Sequence, residues 1–156
     1  MIKSEIRKKD KVLRQELSED QIEDKSRAIA NQLLQLNIWQ HSFYHIFLPI
    51  QEQKELNTEY ILNILAGKDK NIVISKSNFE DYSMIHFLLN DNTIFRKNEY
   101  HIPEPVDGIT ITSQLRNVVF ITILAFDTKG NSNDYGTGFY DRLLSECKHE
   151  TIKIGI

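Results

Sequence analysis

The feature of this sequence that most constrains its fold is a series of short apolar runs separated by segments with helical periodicity. The most apolar run is Val118 to Leu124, which predicts the central strand of a sheet. The other runs that predict strands are Phe43 to Leu48, Asn71 to Ser75, Met84 to Leu88 and Ile152 to Ile156. The chain therefore has enough strands for one sheet.

Helical segments lie between these runs. Residues 2 to 16 predict a first helix, with an apolar stripe that consists of Ile2, Ile6, Leu13 and Leu17. Ser18 and Gln21 form the pattern of a capping box, which predicts the start of a second helix that ends near Leu36. Two further helices are predicted at Thr58 to Leu65, before Gly67, and at Phe139 to Cys147. This alternation favours an α/β fold with a mostly parallel, doubly wound sheet, helices on both faces, and ligands at the carboxyl ends of the strands.

Composition is compatible with one globular domain that spans residues 1–156. The chain has 40% hydrophobic and 26% charged residues, and no segment resembles a linker. A formal net charge of -3 provides no global basic field for nucleic acid or an anionic membrane. The charged N-terminus is unlike a signal peptide, and no window approaches the roughly 20 apolar residues of a membrane span. With one cysteine, Cys147, no internal disulfide can form, and we expect a cytoplasmic protein.

The loop after the predicted central strand is the first candidate for chemistry. It contains Gly136 and Gly138 immediately before a predicted helix, within the segment Gly130 to Arg142. Glycines allow backbone N–H groups to approach a ligand, and a helix N-terminus carries partial positive charge, so a phosphate would fit here. A tight turn without a ligand would have the same glycines, so this loop alone does not decide between the two interpretations.

The first predicted helix has a second stripe beside its apolar one. It is basic and consists of Lys3, Arg7, Lys11 and Arg14. Such a stripe could bind a polyanion. The alternative is that these side chains are solvated and cover apolar surface with their aliphatic stems.

Four blocks of sequence together resemble the 5-formyltetrahydrofolate cyclo-ligases, also called methenyltetrahydrofolate synthetases. They are Lys3 with Arg7 and Leu13-Arg14, Phe47-Leu48 with Glu55-Leu56-Asn57-Thr58, Ile102-Pro103-Glu104-Pro105, and Leu124-Ala125-Phe126-Asp127 continuing to Gly136-Thr137-Gly138-Phe139-Tyr140-Asp141-Arg142. The resemblance extends over nearly the whole chain, and the last block is the most specific.

This resemblance implies a Rossmann-like α/β fold and an enzyme that uses ATP and Mg²⁺. The implied reaction converts 5-formyltetrahydrofolate to 5,10-methenyltetrahydrofolate, with release of ADP and phosphate. In the family, the formyl oxygen takes the γ-phosphoryl group, N10 of the folate attacks the activated carbon, and phosphate leaves. The protein mainly positions the substrates and compensates charge on the transferring phosphoryl group.

Site residues follow from the same resemblance, position by position. Lys3, Arg7 and Tyr140 would be the catalytic residues, and Asp141 would bind Mg²⁺, a hard cation that prefers carboxylate oxygen. ATP would be bound by Lys3, Arg7, Gly136, Thr137, Gly138, Phe139 and Tyr140. The folate would be bound by Leu48, Glu55, Tyr100, Tyr135, Gly136, Thr137, Gly138, Phe139 and Tyr140. The expected partners are therefore 5-formyltetrahydrofolate and ATP, with neither nucleic acid nor a membrane.

The chain departs from the family pattern in two places. Relatives commonly have arginine, glycine and lysine at the positions that are Ser132, Asp134 and Thr137 here. The loss of two cations and the gain of a carboxylate would weaken phosphate binding, so a catalytically impaired paralogue that binds folate or nucleotide is the alternative. The family also continues beyond Ile156 through a further strand and an acidic segment, which this sequence lacks. We expect a monomer, with the terminal strand as an edge on which another chain could pair.

Overall fold

The computed structural model describes residues 2–78, 80–81, 83–112, 117–123, 125–126, 132–133, 143, 145 and 150–156, with side chains at all of these except 125–126 and 132–133. The helices are α1 Lys3–Gln15, α2 Glu19–Leu33 and α3 Glu59–Gly67, with a 3-10 helix at Gln51–Gln53. The strands are β1 Phe43–His45, β2 Asn71–Ser77, β3 Met84–Leu88, β4 Phe95–Lys97, β5 Pro103–Pro105, β6 Thr110–Ile111, β7 Val118–Ile121, β8 Ala125–Phe126, β9 Ser132–Asn133 and β10 Ile152–Gly155.

The main sheet has six strands in the order β10-β7-β1-β2-β3-β6, which confirms the α/β fold class. β10, β7, β1 and β2 pair in parallel, with β7 inside the sheet as the sequence predicts. The prediction of a mostly parallel sheet is wrong for the half of the sheet that contains β3 and β6, where β3 pairs antiparallel with both β2 and β6. Only residues 78–83 connect β2 to β3, and a parallel connection needs a crossover of about a dozen residues or more.

One face of the sheet packs against α2 and α3. Its buried core consists of Ala30, Leu33, Ile38, Tyr44, Ile46, Ile61, Leu65, Ile72, Val118 and Phe120. The buried Tyr44 hydroxyl donates a hydrogen bond to the Ile38 carbonyl at 2.7 Å and accepts one from the His41 N–H at 3.2 Å. Burial raises the pKa of Tyr44. The hydroxyl thus stays neutral and joins the strand to the chain that follows α2.

The opposite face of the sheet has a smaller core. Val119 and Ile121 of β7 pack with Leu143, which is buried and helical. The helical state of Leu143 and Ser145 agrees with the helix predicted at Phe139 to Cys147, whose other residues lie outside the described ones. Among the described residues, helical Leu143 thus packs on the face opposite to α2 and α3.

α1 has the predicted length, but its predicted apolar stripe is not part of the core. None of its residues, all of which are described, is buried, and Leu13 is 50% exposed. Ile6 and Leu17 of that stripe are half-buried, and so are the basic residues Arg7, Lys11 and Arg14. α1 contacts the β8–β9 hairpin and the 3-10 helix.

α2 begins as the sequence predicts. The Gln21 N–H donates to Ser18 Oγ at 3.1 Å, and the Ser18 N–H donates to Gln21 Oε1 at 2.9 Å, which completes the capping box. Two small hairpins, β4–β5 and β8–β9, are additions that the sequence patterns do not predict. Their strands have only two or three residues, and β5 contains two prolines, which are unfavourable inside a sheet.

Candidate functional site

The segment between β1 and α3 contains two of the predicted folate-binding residues, Leu48 and Glu55. It follows the carboxyl end of β1, where an α/β sheet places ligands. Glu55 is buried, with 7% of its surface exposed, and its Oε2 accepts a hydrogen bond from the Ile50 N–H at 2.9 Å. This bond fixes the carboxylate within the turn that follows Leu48. Local structure thus ties Glu55 back to the chain two residues after Leu48.

Lys54 connects this turn to the end of α1. Its Nζ donates to the carbonyl oxygen of Gln15 at 2.7 Å and to that of Leu17 at 2.6 Å. The Gln15 side chain donates in return to the carbonyl oxygen of Glu52 at 3.1 Å. The helix that contains Lys3 and Arg7 is therefore fastened to the segment that contains Glu55.

Glu52 connects the same turn to the β4–β5 hairpin. Its Oε1 lies 2.7 Å from Lys97 Nζ and 3.8 Å from His101 Nδ1. The hydrogen bond from Lys97 lowers the pKa of Glu52, so the pair is charged in neutral solution. This pair holds the hairpin that contains Tyr100 against the turn that contains Glu55.

Two side chains stabilise the turn that presents Tyr100. Asn98 Oδ1 accepts hydrogen bonds from the N–H groups of Tyr100 and Ile102, at 2.8 and 3.2 Å. Glu104 is buried and accepts from Asn98 Nδ2 at 2.9 Å and from the N–H of Ser77, at the end of β2, at 2.6 Å. Tyr100 itself is 53% exposed.

An open groove of about 480 Å³ lies beside this turn, at the end of β2. It is lined by Lys76, Ser77, Asn78, Glu80, Ser83, Ile85 and Glu99. Because cationic and anionic side chains both line it, its charge does not favour one class of ligand.

The nucleotide side of the predicted site lies mostly outside the described residues. Lys3 and Arg7 are described, and α1 contacts both strands of the β8–β9 hairpin, which contains Ser132. Tyr135, Gly136, Thr137, Gly138, Phe139, Tyr140, Asp141 and also Asp134 lie outside the described residues. Within the described ranges, no group of three or more His, Cys, Asp or Glu side chains could hold a metal ion.

Sequence reasoning missed three structural features of the site and its surroundings. Lys54 and Glu104 join segments that are distant in the sequence, and although Glu104 belongs to the block Ile102-Pro103-Glu104-Pro105, no local pattern indicates these contacts. The third is a buried chain of hydrogen bonds, with Ser75 Oγ 2.6 Å from His45 Nε2 and 2.7 Å from His86 Nδ1. The available signal was a polar residue inside each of three predicted strands, which pleating places on one side of the sheet.

These features define an α/β protein in which separate segments converge beside the carboxyl end of a parallel strand. The particular family follows from comparison with known proteins. The chain belongs to the 5-formyltetrahydrofolate cyclo-ligase family, whose model matches residues 1–155.

Curated relatives agree with this assignment. The 5-formyltetrahydrofolate cyclo-ligase of Haemophilus influenzae is 27% identical over 160 residues, which cover 99% of this chain and 82% of that protein. The Mus musculus enzyme of the same name is 28% identical over 116 residues, which cover 69% of this chain and 56% of that protein. The family resemblance that the sequence blocks indicate is thus confirmed.

Solved structures share the fold. The NMR structure of Aquifex aeolicus 5,10-methenyltetrahydrofolate synthetase has a TM-score of 0.82 and 25% identity, with 100% of this chain and 77% of that one covered. The structure of the 5,10-methenyltetrahydrofolate synthetase from Mycoplasma pneumoniae has a TM-score of 0.76 and 19% identity, with 99% of this chain and 84% of that one covered. At this identity the likeness supports the fold alone. Among the described helices, none has the length and apolar character needed to cross a lipid bilayer.

Proposed function

We propose that this chain catalyses the ATP-dependent conversion of 5-formyltetrahydrofolate to 5,10-methenyltetrahydrofolate, with ADP and phosphate as the other products. The observation that carries the proposal is the buried carboxylate of Glu55 at the carboxyl end of β1, in a family whose relatives are cyclo-ligases. A carboxylate accepts several hydrogen bonds, so Glu55 can serve the Ile50 N–H and the N–H edge of a pterin together. Leu48 and Tyr100 would provide the apolar and aromatic contacts with the pterin.

On the nucleotide side, Lys3 and Arg7 would contact the phosphates of ATP from α1. The half-buried position of Arg7, with α1 against the β8–β9 hairpin, supports this role, because partial burial strengthens an ion pair with phosphate. Tyr135 and the segment Gly136 to Tyr140 would enclose the nucleotide and the formyl group. Positive charge around the transferring phosphoryl group would stabilise the transition state.

Mg²⁺ would be bound by Asp141 together with phosphate oxygens of ATP and water. This is the usual way in which proteins hold Mg²⁺, with one or two carboxylates and the substrate. It requires no preformed cluster of protein ligands, and the described residues contain none. When bound, the ion would neutralise charge on the β- and γ-phosphates.

The direct test is turnover by the purified protein. With ATP, Mg²⁺ and 5-formyltetrahydrofolate, we expect the near-ultraviolet absorbance of the methenyl product to increase, and no increase when ATP is omitted. Absence of product at high protein concentration would contradict the proposed activity.

The role of Glu55 can be tested by Glu55→Gln, which keeps the size of the side chain and an acceptor for the Ile50 N–H. A hydrogen bond to a charged group is worth about 1.5–3 kcal/mol, so we expect the Kd for 5-formyltetrahydrofolate to rise about 10- to 100-fold. Calorimetric titration measures this Kd. The Kd for ATP should change little.

The matched control is Glu59→Gln, because Glu59 is exposed in the first turn of α3. This variant should bind folate as the unmodified protein does. Equal folate affinities for Glu55→Gln and Glu59→Gln would exclude a pterin contact at Glu55.

The alternative function is folate or nucleotide binding without turnover. It is favoured by Ser132, Asp134 and Thr137, which stand where relatives commonly have arginine, glycine and lysine. The same purified protein distinguishes the two functions. Calorimetric binding of 5-formyltetrahydrofolate with no methenyl product would favour the alternative.

A further inference from the structure

Lys54 has an unusual backbone conformation for a lysine. Its φ of 50° and ψ of 44° lie in the left-handed region, at the C-terminal end of the 3-10 helix Gln51–Gln53. Glycine adopts this conformation without strain, whereas a residue with Cβ does so at a cost. The lysine adds an ammonium group, and that group makes two short hydrogen bonds to carbonyl oxygens of Gln15 and Leu17.

We propose that Lys54 is a positioning residue that couples ATP binding to folate binding. The proposal rests on the proposed function, in which α1 contacts ATP through Lys3 and Arg7 and Glu55 contacts the pterin. Lys54 touches neither ligand in this scheme. It directly precedes Glu55 on the folate side, and its ammonium holds the end of the helix on the nucleotide side.

The end of α1 is a suitable place for such a connection. The last carbonyl groups of a helix lack partners within the helix, and they form the negative end of the helix dipole. A lysine ammonium satisfies two acceptors here with favourable charge. Because no residue of α1 is buried, polar contacts of this kind contribute a large share of what orients the helix.

The length of α1 amplifies a change at this end. At 1.5 Å per residue, Lys3 lies roughly 18 Å along the helix axis from Gln15. A rotation of about 5° at the Gln15 end would therefore displace Lys3 by roughly 1.5 Å. Displacements of about 1 Å are enough to impair catalytic positioning. A contact at the far end of α1 can thus determine how well Lys3 and Arg7 meet a phosphate.

The same residue also influences the folate side. The Lys54 N–H donates to the Gln51 carbonyl oxygen at 2.9 Å, which closes the turn directly before Glu55. A movement of α1 that follows nucleotide binding would be transmitted through the ammonium to this turn. Each ligand would therefore favour the geometry that the other requires, and linkage makes this effect reciprocal.

The experiment measures the coupling directly. The Kd for 5-formyltetrahydrofolate is determined by calorimetry, first alone and then with a saturating non-hydrolysable ATP analogue and Mg²⁺. We expect the analogue to lower this Kd by about 5-fold or more in the unmodified protein, which is the lower end of typical couplings. In Lys54→Met the ratio of the two Kd values should fall toward one, and the Kd for the analogue should rise.

Two variants provide comparison. Lys54→Gln keeps a hydrogen-bond donor without the charge, so the ratio of its two folate Kd values should lie between those of the unmodified protein and Lys54→Met. If circular dichroism shows that Lys54→Met is unfolded, Lys54→Gln takes its place in the test. Lys25→Met removes a lysine from the exposed side of α2 and should leave the ratio unchanged. A general loss of stability would alter the melting temperature without removing the coupling.

The outcomes separate this inference from the proposed function. If the unmodified protein binds both ligands independently, or if both Lys54 variants keep its full ratio, the coupling is overturned while the proposed function stands. If the unmodified protein binds neither ligand, the proposed function fails and the coupling fails with it. A ratio that falls in the Lys54 variants and persists in Lys25→Met supports the proposal.

Discussion

At the scale of single residues, the buried chain His45–Ser75–His86 is the most unusual feature of the sheet. The three residues lie on the neighbouring strands β1, β2 and β3, and all are buried. A hydroxyl can donate one hydrogen bond while it accepts another, so Ser75 can serve both imidazoles if one donates and the other accepts. In that arrangement, Ser75 couples the tautomers of the two rings, because His45 Nε2 carries a hydrogen when His86 Nδ1 does not, and the reverse.

Ser75→Ala would remove the shared partner of both rings. Each buried polar group that loses its partner costs about 1–3 kcal/mol, so for two rings we expect the free energy of unfolding to fall by about 2–6 kcal/mol. Urea denaturation followed by circular dichroism measures it. Ser77→Ala on the same strand is the control, because the contact of Ser77 with Glu104 uses the backbone N–H. Equal stabilities for the two variants would show that the chain of hydrogen bonds contributes nothing.

At the scale of elements, α1, α2, α3 and five of the six strands of the main sheet lie where the sequence patterns predict them, and the exception is β6. β3 spans Met84–Leu88 as predicted, and α1 and α2 begin close to their predicted starts. The β4–β5 hairpin and its attachment to the 3-10 helix could not be predicted. That attachment depends on Glu52 and Lys97, which are far apart in the sequence and join only in the folded chain.

The ion pair between Glu52 and Lys97 predicts that the stability of the protein depends on pH. Hydrogen bonding from Lys97 lowers the pKa of Glu52 below its ordinary 4.5. A carboxyl whose folded pKa is lowered stabilises the fold above its unfolded pKa, and this contribution is lost as pH falls through the folded pKa. Glu52→Gln should therefore be less stable than the unmodified protein at neutral pH, with the difference shrinking below about pH 4.5.

Thermal melts from pH 7 to pH 3 would measure this difference. Because Glu52 is exposed to solvent, the effect should be small. Lys97→Met should give the same pH dependence, and combining it with Glu52→Gln should add no further loss. Full additivity of the two changes would contradict a direct interaction.

At the scale of the whole molecule, the core and α1 differ in what holds them. Leu65 of α3 is fully buried against the sheet, whereas Leu13 of α1 is half exposed. The stability of the protein is therefore concentrated in the sheet with α2 and α3. α1 contacts the β8–β9 hairpin and the 3-10 helix, and Lys54 bonds to its C-terminal end.

Two leucine substitutions test this division. Leu65→Ala should lower the free energy of unfolding by about 2–5 kcal/mol, because it removes buried methyl groups and leaves a cavity. Leu13→Ala should change it by no more than about 0.5 kcal/mol. Chemical denaturation of both variants measures the difference. A large loss for Leu13→Ala would indicate that α1 belongs to the core.

The sequence by itself determined the α/β class, the family and the approximate bounds of the main elements. These depend on apolar periodicity, capping residues and local motifs, which are properties of neighbouring positions. Only the tertiary structure decided that β3 runs antiparallel, that no residue of α1 is buried in the core, and that Lys54, Glu52 and Glu104 join the segments around Glu55 and Tyr100. The physical reason is that hydrogen bonds and ion pairs between distant segments depend on where the packed core places them, and no local pattern encodes that placement.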